Sequence, residues 1–356
     1  MVEAGSIEAL AFHFTAGAVA GALLLHLSAD PYLLSGGLLI LLCFLLAVLV
    51  KTGRTELVLP AFLLCGMWCV LTDALPGGGG QGVLQRRAAQ GGLRLRIFID
   101  SLPFTSEVTA PLLKAFLTGD RSGLSPETIH AFRQSGASHL LALSGLHMGI
   151  LYLFLSRLLW PLGNSLPAKR FRYVLLVGAA GFFTLMTGAS PSLVRAFLFI
   201  ILRETARLAG RPTEPARILG SALLLQLVLT PSAITSVGFQ LSYLAMAGIF
   251  FLFPRLEAWY PPGDRFNPLR KIWKAAALSL SCQAFTAPLA WLRFHTFPMH
   301  FLLTNLLALP MTTLMMGLAA ATLLLQAAGC CPDVLLRATD LLATNLVRVL
   351  EIISSM

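Results

Sequence analysis

Two histidines and a serine stand inside one apolar stretch, 138–160, in the run Ser138-His-Leu-Leu-Ala-Leu-Ser144-Gly-Leu-His147. Imidazoles at membrane depth could hold a metal, move a proton, or form hydrogen bonds between helices. His139 and His147 are eight residues apart, with no carboxylate between them. Metalloprotease helices place their histidines four apart around a glutamate, so a metal centre is not expected. Leu-Ser-Gly-Leu-His also differs from the nucleophile elbow of hydrolases, which leaves Ser144 without the usual signature of a nucleophile. If one helix begins near Ser138, then His139, Leu143 and His147 fall within about 80° of one another. Gly145 and Gly149 lie on roughly the opposite side at G-x-x-x-G spacing, which suits close helix packing.

Just upstream, Gly119 and Gly123 bracket Asp120-Arg121-Ser122, a turn with two opposite charges. Ser125, Pro126 and Glu127 suit the cap, first position and first turn of a short helix, and Ser135-Gly136 suits its end. An enzyme in the membrane would need Asp120, His139 and His147 to converge within hydrogen-bond reach. A conduit would need polar side chains strung along a path.

Arg195 is a candidate for such a path. It lies one turn inside a span opened by Pro191, with Ala196 to Leu202 apolar beyond it. Arg203, Arg207 and Arg211 continue as a drifting basic stripe, with Glu204 placed to pair with Arg207. Snorkelling and an ordinary cytoplasmic helix end are the plainer readings of this stripe. Gln240, Ser242 and Tyr243, then Gln283 and Thr286, and finally Asn305 are polar groups in apolar spans. Each could equally make an interhelical hydrogen bond. Arg293, His295 and His300 mark a junction. Pro288 and Pro310 fall inside helices and would bend them.

Composition assigns the class. The chain of 356 residues is 56% hydrophobic and 12% charged, with mean hydropathy +0.79. Soluble domains carry about 25% charged residues. An all-α, polytopic transmembrane bundle of about 10–11 spans is expected, with kinked and interfacial helices, because backbone polar groups in lipid must be satisfied internally. The net charge of +10 follows from basic loops as readily as from a polyanionic partner. Most of the six cysteines lie inside apolar runs and read as small buried hydrophobes, without a C-x-x-C pair, while Cys330 and Cys331 stand together near a helix end. No phosphate-binding loop, metal-ligand set or cofactor motif is present, so no cofactor is expected.

Candidate spans are 7–28, 32–50, 56–74, 138–160, 171–189, 191–209, 215–230, 235–253, 272–293 and 302–326, with a weaker one at 333–353. Three parts follow: anchor helices (1–75), an extracytoplasmic loop with amphipathic helices (76–137), and a helix bundle (138–356). Lys51 and Arg54, Arg157 to Arg172, Arg203 to Arg217 and Arg255 to Lys274 alternate with loops poor in positive charge. This places the N-terminus of a multi-pass membrane protein in the cytoplasm and Pro76 to Ala137 outside. Within the long loop, Gly77 to Gly80 break the chain. The stretch after them sets Arg86, Arg87, Arg94 and Arg96 among Leu, Ile and Phe, which reads as an interfacial helix or as a basic collar for phosphates.

The stretch LTGDRSGLSPETIHAFRQSGASHLLALSGLHMGIL resembles the membrane channel domain of the ComEC family, competence proteins that bring single-stranded DNA into bacteria. GASPSLVRAFLFIIL, SVGFQLSYLAMAGI and RFHTFPMHFLLTNLLALP agree, so the resemblance covers about residues 105–326. It implies an inner-membrane channel rather than an enzyme, with single-stranded DNA and lipids as partners. It also implies an ATPase pulling from the cytoplasm, an extracytoplasmic receptor or nuclease, and leaves a homodimer open. No alternating strands lie between Ala74 and Phe104, and no H-x-H-x-D pattern occurs. This implies a form without the OB-type and metallo-β-lactamase-like domains often found in that family. On this reading Asp120 and Arg121 fix the outer loop. His139, Ser144 and His147 line the outer half of the path, Arg195 attracts phosphates, and Gln240 and Asn305 keep the inner half wet. A transporter for small solutes or ions is the alternative, and a membrane hydrolase a further one.

Overall fold

The computed structural model describes residues 7–26, 58–73, 83–211, 214–260, 267–295 and 299–356, with a few positions between 34 and 48. Nearly half of the expected span at 32–50, Lys51, Arg54, Arg265 and the Gly77–Gly80 break lie outside the described residues. Among the described residues the fold is all-α, with no strand. The chain forms two compact units that interleave in sequence.

One unit takes in Met1–Gln81, Lys169–Val177 and Val194–Gln240. Its centre is the pairing of α1 (Ile7–His26) with α2 (Val58–Asp73). Small residues set the distance between them. A Cβ at Gly17 would collide with the Leu63 carbonyl, and one at Gly66 with the Phe14 carbonyl, so both positions admit only hydrogen. In lipid such close approach replaces the hydrophobic drive that holds soluble helices together.

The other unit takes in Gly82–Ala168, Gly178–Leu193 and Leu241–Met356. It opens with α3 (Val83–Asp100), α4 (Thr109–Thr118), α5 (Pro126–Gln134), the single turn α6 (Ser138–Leu141) and α7 (Gly145–Leu158). Four helices follow that lie in one unit or run between the two, α8 (Leu166–Met186), α9 (Pro191–Leu208), α10 (Pro215–Leu229) and α11 (Val237–Phe251). The last four are α12 (Phe253–Glu257), α13 (Pro268–Phe294), α14 (Phe301–Ala327) and α15 (Asp333–Ser354). The core of this unit joins Ile99, Leu112, Phe116, Phe132, Leu140, Ile150, Met315 and Leu346. Leu112, Phe116, Phe132 and Leu140 are fully enclosed.

Helix α14 shows the pattern of a membrane helix. Its buried stripe carries Thr304, Ala308, Thr312, Met315, Ala319 and Thr322, while Leu303, Leu307, Leu314 and Leu324 are exposed. Polar and small residues turn inward and leucines outward, the arrangement favoured when the solvent is hydrocarbon. Ile7–Leu25, Pro268–Phe294 and Phe301–Ala327 are long and apolar enough to cross a membrane. Val58–Leu71, Gly145–Leu158, Pro215–Leu229 and Val237–Phe251 are shorter apolar helices. Helices α13 and α14 run through Pro288 and Pro310 without ending there.

Two expectations need correction. The weak span at 333–353 is α15, an amphipathic helix packed on α14 and α5. Its buried positions 336, 339, 340, 343, 346, 347, 350 and 353 follow the helical period, and Arg337 and Arg348 are exposed. The cysteines are not buried. Cys43 and Cys330 are exposed and the other four are partly exposed.

Candidate functional site

The segment from Gly119 to Gly149 is anchored from three sides. Helix α4 ends at Gly119, in the left-handed region at φ 77°, where a Cβ would strike Leu143 Cδ1 at 2.7 Å. Only glycine satisfies both the dihedral and the space. Asp120 then closes the turn. Its Oδ1 accepts from the Ser122 hydroxyl at 2.7 Å and the Ser122 N–H at 3.1 Å. Its Oδ2 pairs with Arg96 Nη1 at 3.1 Å, and Arg96 Nε donates to Thr118 Oγ1 at 3.2 Å. The Ser122 hydroxyl, then its N–H, hold the Asp120 carboxyl below its ordinary range. Partial burial opposes this, and Arg96 and Lys114 add smaller contributions. Lys114 itself pairs with Asp100 at 2.7 Å. Arg121 Nε donates to the Leu141 carbonyl at 3.1 Å, which ties the turn to the end of α6.

Helix α5 starts as its sequence prescribes. Ser125 caps it, its Oγ accepting from Thr128 N–H at 3.1 Å, with Pro126 and Glu127 in the first turn. Its far end is held by α14, where Thr304 Oγ1 donates to the Ser135 carbonyl at 2.6 Å.

The continuous helix expected from Ser138 does not form. Helix α6 stops after one turn, Ala142 and Ser144 are extended, and α7 begins at Gly145. His139 and His147 therefore share no helical face. The cause is a capping box in which histidine replaces the usual glutamate. Ser144 Oγ accepts from Leu146 N–H at 3.3 Å, and His147 Nδ1 accepts from Ser144 N–H at 3.2 Å. A backbone N–H can only donate, so the neutral ring carries its proton on Nε2. His147 is fully enclosed, edge-on to Phe116 at 5.6 Å between ring centres. Its Nε2 finds no partner among the described residues.

This geometry revises the expected path residues. His147 has no surface on any open path in this conformation. His139 is exposed, and its Nδ1 donates to the Gly136 carbonyl at 3.2 Å. Ser144 Oγ lies 3.0 Å from His147 Nδ1, a distance at which a base could activate a nucleophile. Both atoms, however, are engaged in capping, and no carboxylate among the described residues orients the ring. Asp120 is held by Ser122 and Arg96, and no hydrogen bond joins Asp120, His139 and His147. Gly149 does not serve close packing, because no described atom lies within 4 Å of where its Cβ would stand. That role falls to Gly248, whose Cβ would collide with the Ser281 carbonyl of α13.

Elsewhere in this unit, Asn305 sits beside the buried Thr304, and its Oδ1 is enclosed without a partner among the described residues. In the other unit, Arg195 is half-buried on α9. Glu204 and Arg207 make the expected pair at 2.9 Å. Gln240 Nε2 donates to the Ile234 carbonyl at 2.8 Å, closing the turn before α11.

Sequence reasoning missed three participants. Arg96 was one of several arginines in a basic stretch. Thr304 was passed over beside Asn305. Asp340, a buried acid on α15, accepts from Thr105 N–H at 2.7 Å through Oδ2, while its Oδ1 has no described partner. An acid on the apolar stripe of α15 was the available signal for the last.

Residues 116–356 match the family model described as Competence protein. The chain belongs to this family. The match begins at Phe116, the ring against which His147 packs, and includes the whole capped segment. Among curated proteins, Competence protein ComA of Neisseria gonorrhoeae is 34% identical over 175 residues, covering 48% of this chain and 25% of that protein. ComE operon protein 3 of Bacillus subtilis (strain 168) is 26% identical over 234 residues, 63% of this chain and 28% of the other. An uncharacterized Escherichia coli (strain K12) protein, YcaI, is 27% identical over 201 residues, 55% and 26%. The alignments thus span about a quarter of the length of these relatives. No solved structure matches. Family membership and the apolar helices together make this a membrane protein of the Competence protein family.

Proposed function

We propose that this chain forms an inner-membrane conduit for single-stranded DNA during natural transformation, with its N-terminus in the cytoplasm. The observation that carries the reading is the Competence protein match over residues 116–356, which takes in the anchored segment and the two long helices α13 and α14. Supporting it, the half-buried Asn305 places an amide within the apolar helix α14. Arg195, one turn inside an apolar helix, supplies a positive charge where a phosphate chain would pass.

On this reading the residues divide by task. Asp120, Arg121 and Ser122 hold the outer loop. Ser144 and the enclosed His147 fix where α7 begins and do no chemistry. His139, Asn305 and Arg195 meet the strand, and Gln240 shapes the turn leading into α11. The conduit itself is not an enzyme. An ATPase on the cytoplasmic side pulls the strand, and an outer receptor or nuclease delivers it.

The test is uptake of labelled DNA in a strain deleted for its own channel and complemented with this chain. Arg195→Ala is expected to cut uptake by about tenfold or more, as loss of a desolvated phosphate contact would. Unchanged uptake, with the variant at normal level in the membrane, would remove Arg195 from the path.

A further inference from the structure

Helix α3 presents two unlike faces. Ala88, Gly92 and Ile99 are buried and Leu95 packs on the core. Gly91 and Gly92 let α8 approach, since a Cβ at Gly91 would meet Phe182 at 2.7 Å and one at Gly92 would meet Met186 at 3.1 Å. The opposite face is open. Leu93 and Ile97 are 57% and 61% exposed along its centre, and Arg86, Arg87 and Arg94 are exposed around them. By the helical period Arg86, Gln90, Leu93, Arg94 and Ile97 fall within about 100°. Arg96 lies apart from this group, turned to Asp120.

The geometry points to a docking surface for an anionic lipid leaflet on this face of α3. Leu93 and Ile97 enter the acyl boundary, and the guanidinium groups of Arg87 and Arg94 meet lipid phosphates. A polyanion in water would engage the arginines but gain nothing from covering two aliphatic side chains. The face offers no exposed aromatic ring on which a base could stack. Because α3 also carries Arg96, seating it on the leaflet fixes the position of the Asp120 turn relative to the membrane surface. This does not rest on the conduit reading, since it concerns only where the helix lies.

The experiment is amide exchange of the full chain in nanodiscs of phosphatidylcholine alone and of phosphatidylcholine with phosphatidylglycerol in equal parts. Phosphatidylglycerol is expected to slow exchange across 86–98 by about tenfold, as two arginines at an anionic surface would. Arg87→Glu with Arg94→Glu should abolish that difference. Arg87→Lys with Arg94→Lys should keep it, and Leu93→Ser with Ile97→Ser should weaken it. The amides of α4 report whether each variant is folded. Equal exchange of the unsubstituted chain in the two discs would overturn the proposal whatever the variants do. Protection of 86–98 by a single-stranded oligonucleotide in phosphatidylcholine discs, matching that given by phosphatidylglycerol, would overturn it in favour of a nucleic-acid collar.

Discussion

The backbone N–H of Ser144 donates to Nδ1 of His147, three residues ahead, across 3.2 Å. That bond makes a histidine expected to line a path into the closing half of a helix cap. It also commits the imidazole proton to Nε2, inside a packed core beside Phe116.

Removing the ring should therefore release the start of α7. His147→Ala leaves the Ser144 N–H without its acceptor and is expected to cost about 1–3 kcal/mol. Amide exchange at 144–148 should accelerate more than exchange elsewhere in α7. His147→Gln offers an acceptor at a similar reach and should recover part of the protection. If alanine and glutamine behave alike, the ring matters for its volume and not for its nitrogen.

Acid should loosen the Asp120 turn. Its carboxyl titrates below its ordinary 3.8, mainly through the Ser122 hydroxyl. A carboxyl depressed on folding contributes stability above its unfolded value, and that contribution fades as pH falls through the lower folded value. Exchange at 119–123, corrected for the intrinsic rate, should stay flat at neutral pH and rise only below about pH 4. Ser122→Ala removes the largest cause, so exchange at neutral pH should rise and the further rise in acid should shrink, because the folded value moves back toward the unfolded one. Arg96→Ala should shrink it less. The reverse order would make the ion pair the controlling contact.

Two glycines should respond in opposite ways to the same added methyl group. At Gly248 a Cβ meets the Ser281 carbonyl, which is backbone and cannot swing aside, so Gly248→Ala should destabilise by about 1–3 kcal/mol. At Gly149 no described atom stands within 4 Å of an added Cβ, and alanine favours a helix over glycine by up to about 1 kcal/mol. Thermal unfolding midpoints in detergent should fall for the first and hold or rise for the second. Equal shifts would contradict the packing of α11 on α13.

What the residues announce unaided is what depends on near neighbours or on bulk composition. Membrane class follows from the scarcity of charge, because lipid excludes it everywhere along the chain. The start of α5 follows from Ser125-Pro126-Glu127, and the Glu204–Arg207 pair from their spacing, because caps and such pairs are closed within one turn. Family resemblance was legible in the same way, from residues in order.

Tertiary structure alone decided the rest. A helical wheel put His139 and His147 on one face, but it assumes an unbroken helix, and the cap at Ser144 breaks it. Arg96 is 24 residues from Asp120, and nothing local distinguishes it from Arg94, which stays exposed. Gly149 has helix-packing spacing without a partner, whereas Gly248 has the partner, because close approach belongs to the pair of helices and not to either sequence. Partner choice at long range is set by which faces pack, and the helical period fixes the faces without saying what they meet.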